Sequence, residues 1–511
     1  MVRKLPIDNF QYWESDVLRS DLKQRSLHSG LITFGAQPVK VLIGVSTTAI
    51  LARLLTPADF GLVAMLLPLL AIVDSVSNLG LETATVQREG MDHQQASAVF
   101  WISLKINVLI IAAMVLVAPL LARFYEEQSL TAMAIVMAIG VASVCLSFQH
   151  KSLLKRQMQF GVLTSIEVVS LVVGAGAAIA VAWMGWGYWA LVLQLVVPQI
   201  VQGVAYWLFC GWRPTKYVKP SQADTNVRAM LSYGLNLSGF RLITRIGMKL
   251  DQVLIGYLSG ASALGLYSMA YQWAYFPFNQ IYPALFDVAV SSLSRAASDP
   301  QQYRNYCRQS LTLMFGFCMP AMALLFVSAR DFMLLLLGSQ WLVAVPIFQV
   351  LSVAVFIGSL YRVTKWIYVS VGHTQRQLQW GLIHTPVMIT AVAIGSHWGA
   401  LGVAIGYATG ISLLTYPSVA FCLQLSPLTM GDFMSTFLRP ATASIASGFL
   451  LFLSRLMLTA PGVLILSLIL NLVIFGVLYI GIYVLLPGGL NEIKSLYLEL
   501  KNLLAARKKK Q

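Results

Sequence analysis

Apolar segments of about 20 residues, the length needed to cross a bilayer, recur along this 511-residue chain from residue 27 to residue 486. They fall at about 27 to 52, 60 to 81, 98 to 122, 130 to 150, 161 to 183, 187 to 210, 228 to 257, 264 to 291, 306 to 328, 341 to 370, 376 to 396, 400 to 423, 432 to 455 and 462 to 486. A chain that is 58% hydrophobic and 11% charged cannot hide so much apolar surface in a soluble domain. The expected fold is an all-α polytopic membrane protein of about fourteen transmembrane helices. Between Asp331 and Trp341 a short apolar piece suggests a re-entrant or loop element.

Fourteen spans put both ends on one side, and the Lys/Arg distribution tests that count. Loops and termini on the side of the N-terminus hold twenty-three Lys and Arg, whereas the opposite loops hold Arg53, Arg123, Arg330 and Arg455. The asymmetry predicts that both termini are cytoplasmic. A net charge of +15 would suggest nucleic acid in a soluble protein; here it reports topology, and no nucleic-acid partner is expected. The first 24 residues are too polar for a signal peptide and read as a cytoplasmic lead-in. The five cysteines have neither disulfide nor metal-ligand spacing, and no cofactor is expected.

The remaining eight bases lie within spans: Lys40, Lys105, Arg241, Arg245, Lys249, Arg362, Lys365 and Arg439. Arg241, Arg245 and Lys249 are four residues apart and share one helical face. Each cation costs about 2.5 to 3.5 kcal/mol at the bilayer centre on insertion scales, so the stripe must face water or an anion. Five acids lie at comparable depth or near a span edge: Asp74, Glu82, Glu167, Asp251 and Asp287. The interior is therefore rich in charge and net positive.

The chain also repeats itself. Leu55-Thr-Pro-Ala-Asp-Phe-Gly61-Leu62-Val-Ala-Met65 is echoed by Leu258-Ser-Gly-Ala-Ser-Ala-Leu-Gly265-Leu266-Tyr-Ser-Met269, offset by 204 residues. Trp186-Gly187 and Trp398-Gly399 repeat at an offset of 212. Paired halves around a central site are common in transporters. The predicted organisation is a cytoplasmic segment (1–26), an N-lobe of six spans (27–210), a basic inter-lobe loop (211–227), a C-lobe of six spans (228–424), two further spans (425–486) and a basic tail (487–511). The repeat aligns the first span, with Thr33, Gln37, Lys40, Gly44 and Thr47 on one face, with the stripe of the seventh. The two stripes read as halves of one site.

Lys40, Arg241, Arg245, Lys249, Arg362 and Lys365 are the candidate contacts for an anionic headgroup, although Arg362 and Lys365 could equally snorkel to the cytoplasmic edge. In the eighth span Tyr267, Tyr271, Tyr275 and Asn279 recur every fourth residue. A tyrosine offers a flat apolar face and a hydroxyl, which suits sugar rings; packing or an interfacial belt is the alternative. Asp74 and Glu167 are candidate proton or sodium sites. His384 and His397 read as structural histidines.

Leu54-Leu55-Thr56-Pro57-Ala58-Asp59-Phe60-Gly61-Leu62-Val63-Ala64-Met65, followed by Asn78-Leu79-Gly80-Leu81-Glu82-Thr83-Ala84-Thr85-Val86-Gln87-Arg88, closely resembles the start of bacterial polysaccharide transporters of the oligosaccharide flippase (Wzx-like) type. Lys249-Leu250-Asp251-Gln252-Val253-Leu254-Ile255-Gly256 and Gly265-Leu266-Tyr267 match the second half. The likeness runs from about residue 25 to 486; Asn78 departs from it, standing where relatives often carry an acid. Such proteins belong to the multidrug/oligosaccharidyl-lipid/polysaccharide (MOP) exporter superfamily. The resemblance implies a multi-pass protein of the bacterial inner membrane. It implies transfer of a polyprenyl-pyrophosphate-linked oligosaccharide from the cytoplasmic to the outer leaflet by alternating access. The buried bases are expected to supply a cationic central cavity for it, and membrane lipids and a glycan polymerase or export machinery are the expected partners. The chain has no GxxxxGK[ST] nucleotide loop, so energy is expected from an H+ or Na+ gradient, the membrane potential or consumption of the product.

Three rivals stand beside that reading. A lipid II flippase would share the fold and a cationic interior. A drug antiporter would need an acid-dominated interior. A membrane glycosyltransferase or glycan polymerase would need a large catalytic outer loop, and every outer loop here is short.

Overall fold

The computed structural model describes residues 22–77, 82, 85–86, 92–215, 249–424, 426–457, 463–490, 492 and 494, with side chains in the first helix from residue 35. Among them the chain is α-helical and contains no strand. The helices are α1 (Leu22–Leu54), α2 (Pro57–Ser77), α3 (His93–Phe124), α4 (Ser129–Arg156), α5 (Phe160–Trp183), α6 (Trp189–Phe209) and α7 (Leu250–Arg295). They continue as α8 (Pro300–Val327), α9 (Ala329–Leu336), α10 (Val345–Val371), α11 (Thr374–Ser396), α12 (Gly399–Leu423), α13 (Met430–Met457) and α14 (Leu464–Leu485). Lipid offers no partner to backbone N–H and C=O groups, so helices that satisfy their own are the form a run of apolar spans must take.

Thirteen of the described helices are long and apolar enough to cross a membrane. They correspond to every expected span but the seventh, which lies mostly outside the described residues. Its last residues open α7, where Gly260 breaks the helix at φ 78° and ψ −178°. That backbone is open to glycine and strained for other residues. Beyond it the expected eighth span runs on to Arg295. The Asp331–Trp341 stretch forms the short helix α9 and then, after Gly338, a 3-10 turn at Ser339–Ala344.

The chain forms two compact units, Met1–Gly265 and Leu266–Gln511. In the first, α6 packs against α4 and α5, α3 against α4, and α1 against α5. One core cluster gathers Phe100, Phe148, Leu153, Ile166, Tyr206 and Trp212. Outward faces carry large apolar side chains, such as Leu109 and Leu116 at 71% and 73% exposure, as expected where the solvent is lipid.

The echoed motifs meet inside this first unit. A Cβ on Gly61 would lie 1.7 Å from the carbonyl oxygen of Ala261, and one on Gly265 would lie 1.8 Å from the carbonyl oxygen of Pro57. Adding the 204-residue offset turns Pro57 into Ala261 and Gly61 into Gly265, so the two contacts are equivalent under exchange of the motifs. Asp59 caps the start of α2, its carboxylate accepting from the Thr56 amide at 2.9 Å and the Thr56 hydroxyl at 2.7 Å.

In the second unit α10 packs against α8 and α12, α11 against α12, and α13 against α8 and α14. Three braced ion pairs tie the elements together. Arg455 reaches Asp331 at 2.6 Å and the Val327 carbonyl at 2.8 Å. Arg304 reaches Asp432 at 2.7 Å, and Asp432 also accepts from Thr429 at the start of α13. Arg439, one of the bases expected within a span, pairs with Glu492, which also accepts from the Tyr483 hydroxyl.

Candidate functional site

The second unit gathers an aromatic cage around one arginine. On α7 the four-residue step stacks Tyr271 on Tyr275, ring centroids 4.4 Å apart, with Tyr267 6.1 Å from Tyr271. Residues at i and i+4 face each other along a helix, so this spacing builds a ladder of rings. Arg362 of α10 lays its guanidinium 4.8 Å from the Tyr275 ring centroid and 4.9 Å from that of Phe278. Tyr407 of α12 closes the cage: its hydroxyl lies 2.8 Å from that of Tyr275, and its ring stands edge-on to Tyr271 at 6.3 Å. The Tyr282 hydroxyl donates to the Arg362 carbonyl at 3.1 Å, fixing the backbone beneath the cation.

Ring faces attract a guanidinium by about 0.5 to 2 kcal/mol, depending on how far it is desolvated. They do not cancel its charge. Among the described residues no carboxylate forms an ion pair with Arg362, so the cage holds a planar cation in place without pairing its charge. A guanidinium suits phosphate because its parallel N–H groups bind two oxygens at once.

Other residues singled out in the sequence fall differently. Lys365 is exposed, with its ammonium 5.3 Å from the Phe286 ring centroid. Tyr267 is fully buried and Asn279 is exposed, so of the four-residue stripe it is Tyr271 and Tyr275 that meet the cage. His384 stacks flat on Tyr361 at 4.5 Å, next in sequence to Arg362. No sequence signal marked Tyr407, one of two tyrosines in its helix; only the packing of α12 on α10 brings it to the cage.

In the first unit Lys40 of α1 forms an ion pair with Glu167 of α5. Sequence reasoning gave them separate roles, one for the headgroup and one for an ion; the structure puts them together. Asp74 is exposed on α2. Lys249 donates to the Gln252 side chain at 3.1 Å, one residue from the buried Asp251. Arg241 and Arg245 lie outside the described residues. A second pair, Lys155 with Glu82, is flanked by Arg156, which donates to the Thr85 carbonyl at 3.0 Å.

Where α6 ends, a cluster that sequence reasoning missed anchors residues 210–215. His150 packs against Trp207 at 4.1 Å and Trp212 at 5.2 Å, and the Trp212 indole donates to His93 at 3.1 Å. Trp101 donates to the Thr215 carbonyl at 2.8 Å. Among the described residues no group of three His, Cys, Asp or Glu side chains could hold a metal ion.

Comparison with known proteins decides the family. Residues 50–346 match the model of the family described as polysaccharide biosynthesis protein. The chain belongs to that family. Its relatives include the teichuronic acid biosynthesis protein TuaB of Bacillus subtilis, 26% identical over 74% of this chain and 78% of the relative. The succinoglycan biosynthesis transport protein ExoT of Rhizobium meliloti is 26% identical over 78% and 80%. The lipopolysaccharide biosynthesis protein WzxC of Escherichia coli is 20% identical over 76% and 78%. Among solved structures the fold is similar to the lipid II flippase MurJ in an inward closed conformation, with a TM-score of 0.66 at 13% identity over 90% of this chain and 98% of that one. An inward-facing multidrug resistance MATE family transporter of the MOP superfamily gives 0.62 at 15% identity over 75% and 94%. This polysaccharide biosynthesis protein is thus a multi-pass membrane protein with the MurJ and MATE fold, as its sequence resemblance implied.

Proposed function

We propose that this protein is a flippase. It carries a polyprenyl-pyrophosphate-linked oligosaccharide repeat unit from the inner to the outer leaflet of the bacterial cytoplasmic membrane, for exopolysaccharide or lipopolysaccharide assembly. The observation that carries the reading is Arg362, held between Tyr275 and Phe278 with no carboxylate pairing it among the described residues. A lipid pyrophosphate brings about two negative charges into low dielectric, where charge-assisted bonds to a guanidinium replace lost hydration. The adjoining Tyr271 and Tyr275 rings offer a stacking surface for the sugar next to the phosphate. Lys40, Arg241, Arg245, Lys249 and Lys365 are the further headgroup cations, and Asp74 and Glu167 the groups for a coupling H+ or Na+. Relatives named for teichuronic acid, lipopolysaccharide and succinoglycan biosynthesis support the glycan class.

Transport proceeds by alternating access with both termini in the cytoplasm, and the flipped product passes to a polymerase or export machinery. The test is reconstitution into proteoliposomes with a fluorescent polyprenyl-pyrophosphate glycan, scoring how much becomes accessible to a membrane-impermeant quencher over time. Quenching that proceeds no faster than in protein-free vesicles rejects the function.

The likeness to MurJ favours one second reading, a lipid II flippase. Rescue of a strain depleted of its lipid II flippase, without rescue of a polysaccharide flippase mutant, would select it.

A further inference from the structure

The Lys40–Glu167 pair differs in build from the ion pairs that brace the second unit. In those, a third group pins the pair: the Val327 carbonyl on Arg455, Thr429 on Asp432, the Tyr483 hydroxyl on Glu492. Lys155 and Glu82, in the first unit, sit beside the Arg156 tie to Thr85. Lys40 and Glu167 have each other as their one hydrogen-bond partner among the described residues. Ser170 donates to the backbone carbonyl of Glu167, leaving the carboxylate to the lysine. An ammonium with three donors and a carboxylate with four acceptor sites thus share a single contact.

The face around the pair is open. The side chains are 18% and 31% exposed. Gln37, three residues before Lys40, is exposed, and a Cβ added at Gly44, four residues after it, would meet nothing within 4 Å. Among the described residues the titratable and charged groups that face Glu167 are Lys40 from α1 and, from α6, Tyr206, which also lies in the field of Glu82; Glu82 is itself paired with Lys155 of α4. Among the described residues one cation, Lys40, therefore pairs with Glu167 directly.

We propose that Glu167 is a resident counter-anion, occupying Lys40 in the empty carrier in the place that a headgroup phosphate takes when lipid is bound. The inference rests on the flippase reading. In the empty protein the two charges cancel, so Lys40 is not left as a bare cation. An arriving phosphate, with more charge and more acceptor oxygens than a carboxylate, draws Lys40 across; on the far side Glu167 reclaims the lysine and helps expel the headgroup. Glu167 thus weakens binding and speeds release, the opposite of what a structural ion pair does.

The test is binding of polyprenyl pyrophosphate without sugar to the full-length protein in nanodiscs, with flipping rates measured on the same preparations and melting curves to establish folding. Glu167→Gln frees Lys40 and is expected to tighten binding about five- to tenfold while slowing flipping. Glu167→Asp, which shortens the reach but keeps the charge, is expected to fall between it and the unaltered protein. Lys40→Gln is expected to weaken binding, and the double variant Lys40→Gln/Glu167→Gln to bind as Lys40→Gln does, because the glutamate acts through the lysine. Unchanged or weaker binding in both Glu167 variants overturns the inference, as does tightening that persists without Lys40. Failure of the unaltered protein to bind the probe at all overturns the flippase reading first and the inference with it.

Discussion

Gly61 and Gly265 occupy equivalent positions in two echoed motifs, and each presses its bare Cα against the other motif's backbone carbonyl. A methyl at Gly61 would meet the Ala261 carbonyl oxygen at 1.7 Å and one at Gly265 the Pro57 carbonyl oxygen at 1.8 Å. Both obstacles are backbone, which has no rotamer with which to step aside. Helices in membranes approach closely where side chains are smallest, and here the repeat makes the approach twice.

Alanine at either position is therefore expected to force the start of α2 away from residues 261–265, at about 1 to 3 kcal/mol for overpacking. Thermal melting in detergent should show each single variant destabilised. The double variant should fall short of the sum, because moving one backbone relieves both contacts. Unchanged melting of Gly61→Ala would mean that the contact is not there.

Around Arg362 the two roles of Tyr275 are separable. Tyr275→Phe keeps the ring under the guanidinium and loses the 2.8 Å contact with Tyr407. Tyr275→Ala loses both. Headgroup binding is expected to fall by less than about threefold in the first and by about three- to thirtyfold in the second, the span of one cation–π contact of about 0.5 to 2 kcal/mol. Titration with polyprenyl pyrophosphate in nanodiscs reads both.

Arg362→Lys keeps the charge and removes the planar fork. Because an ammonium neither stacks on the rings nor binds two phosphate oxygens in parallel, this variant is expected to retain a small part of the binding. Full binding by Arg362→Lys would show that charge alone suffices.

Asp331 holds Arg455 and also lies 3.4 Å from the Ser467 hydroxyl, tying α9 to α13 and α14. Asp331→Ala leaves a half-buried guanidinium with, among the described residues, the Val327 carbonyl alone. The expected loss is about 1 to 3 kcal/mol, between exposed and buried pairs. It should appear as a lower melting temperature with headgroup affinity unchanged, which separates this structural pair from Lys40 and Glu167.

Much of this architecture was legible in the sequence, because lipid restricts a spanning segment to a helix of about 20 apolar residues. The tyrosine ladder was legible for a similar reason: the four-residue spacing of Tyr271 and Tyr275 is local geometry. Partners far apart in sequence were not. Lys40 and Glu167, 127 residues apart, each looked like a lone charge in its own span, and Tyr407 carried no periodic mark until α12 was packed on α10. The break at Gly260 was equally silent, since glycines are common in membrane helices and its positive φ appears only in three dimensions.

Flipping by the Arg362→Ala protein, reconstituted beside the unaltered one and matched for insertion and melting temperature, tests the central claim most directly. The account predicts that quencher accessibility of a polyprenyl-pyrophosphate glycan falls to the rate of protein-free vesicles while the fold persists. A rate equal to that of the unaltered protein would contradict it, because the caged arginine would then have no part in carrying the anion.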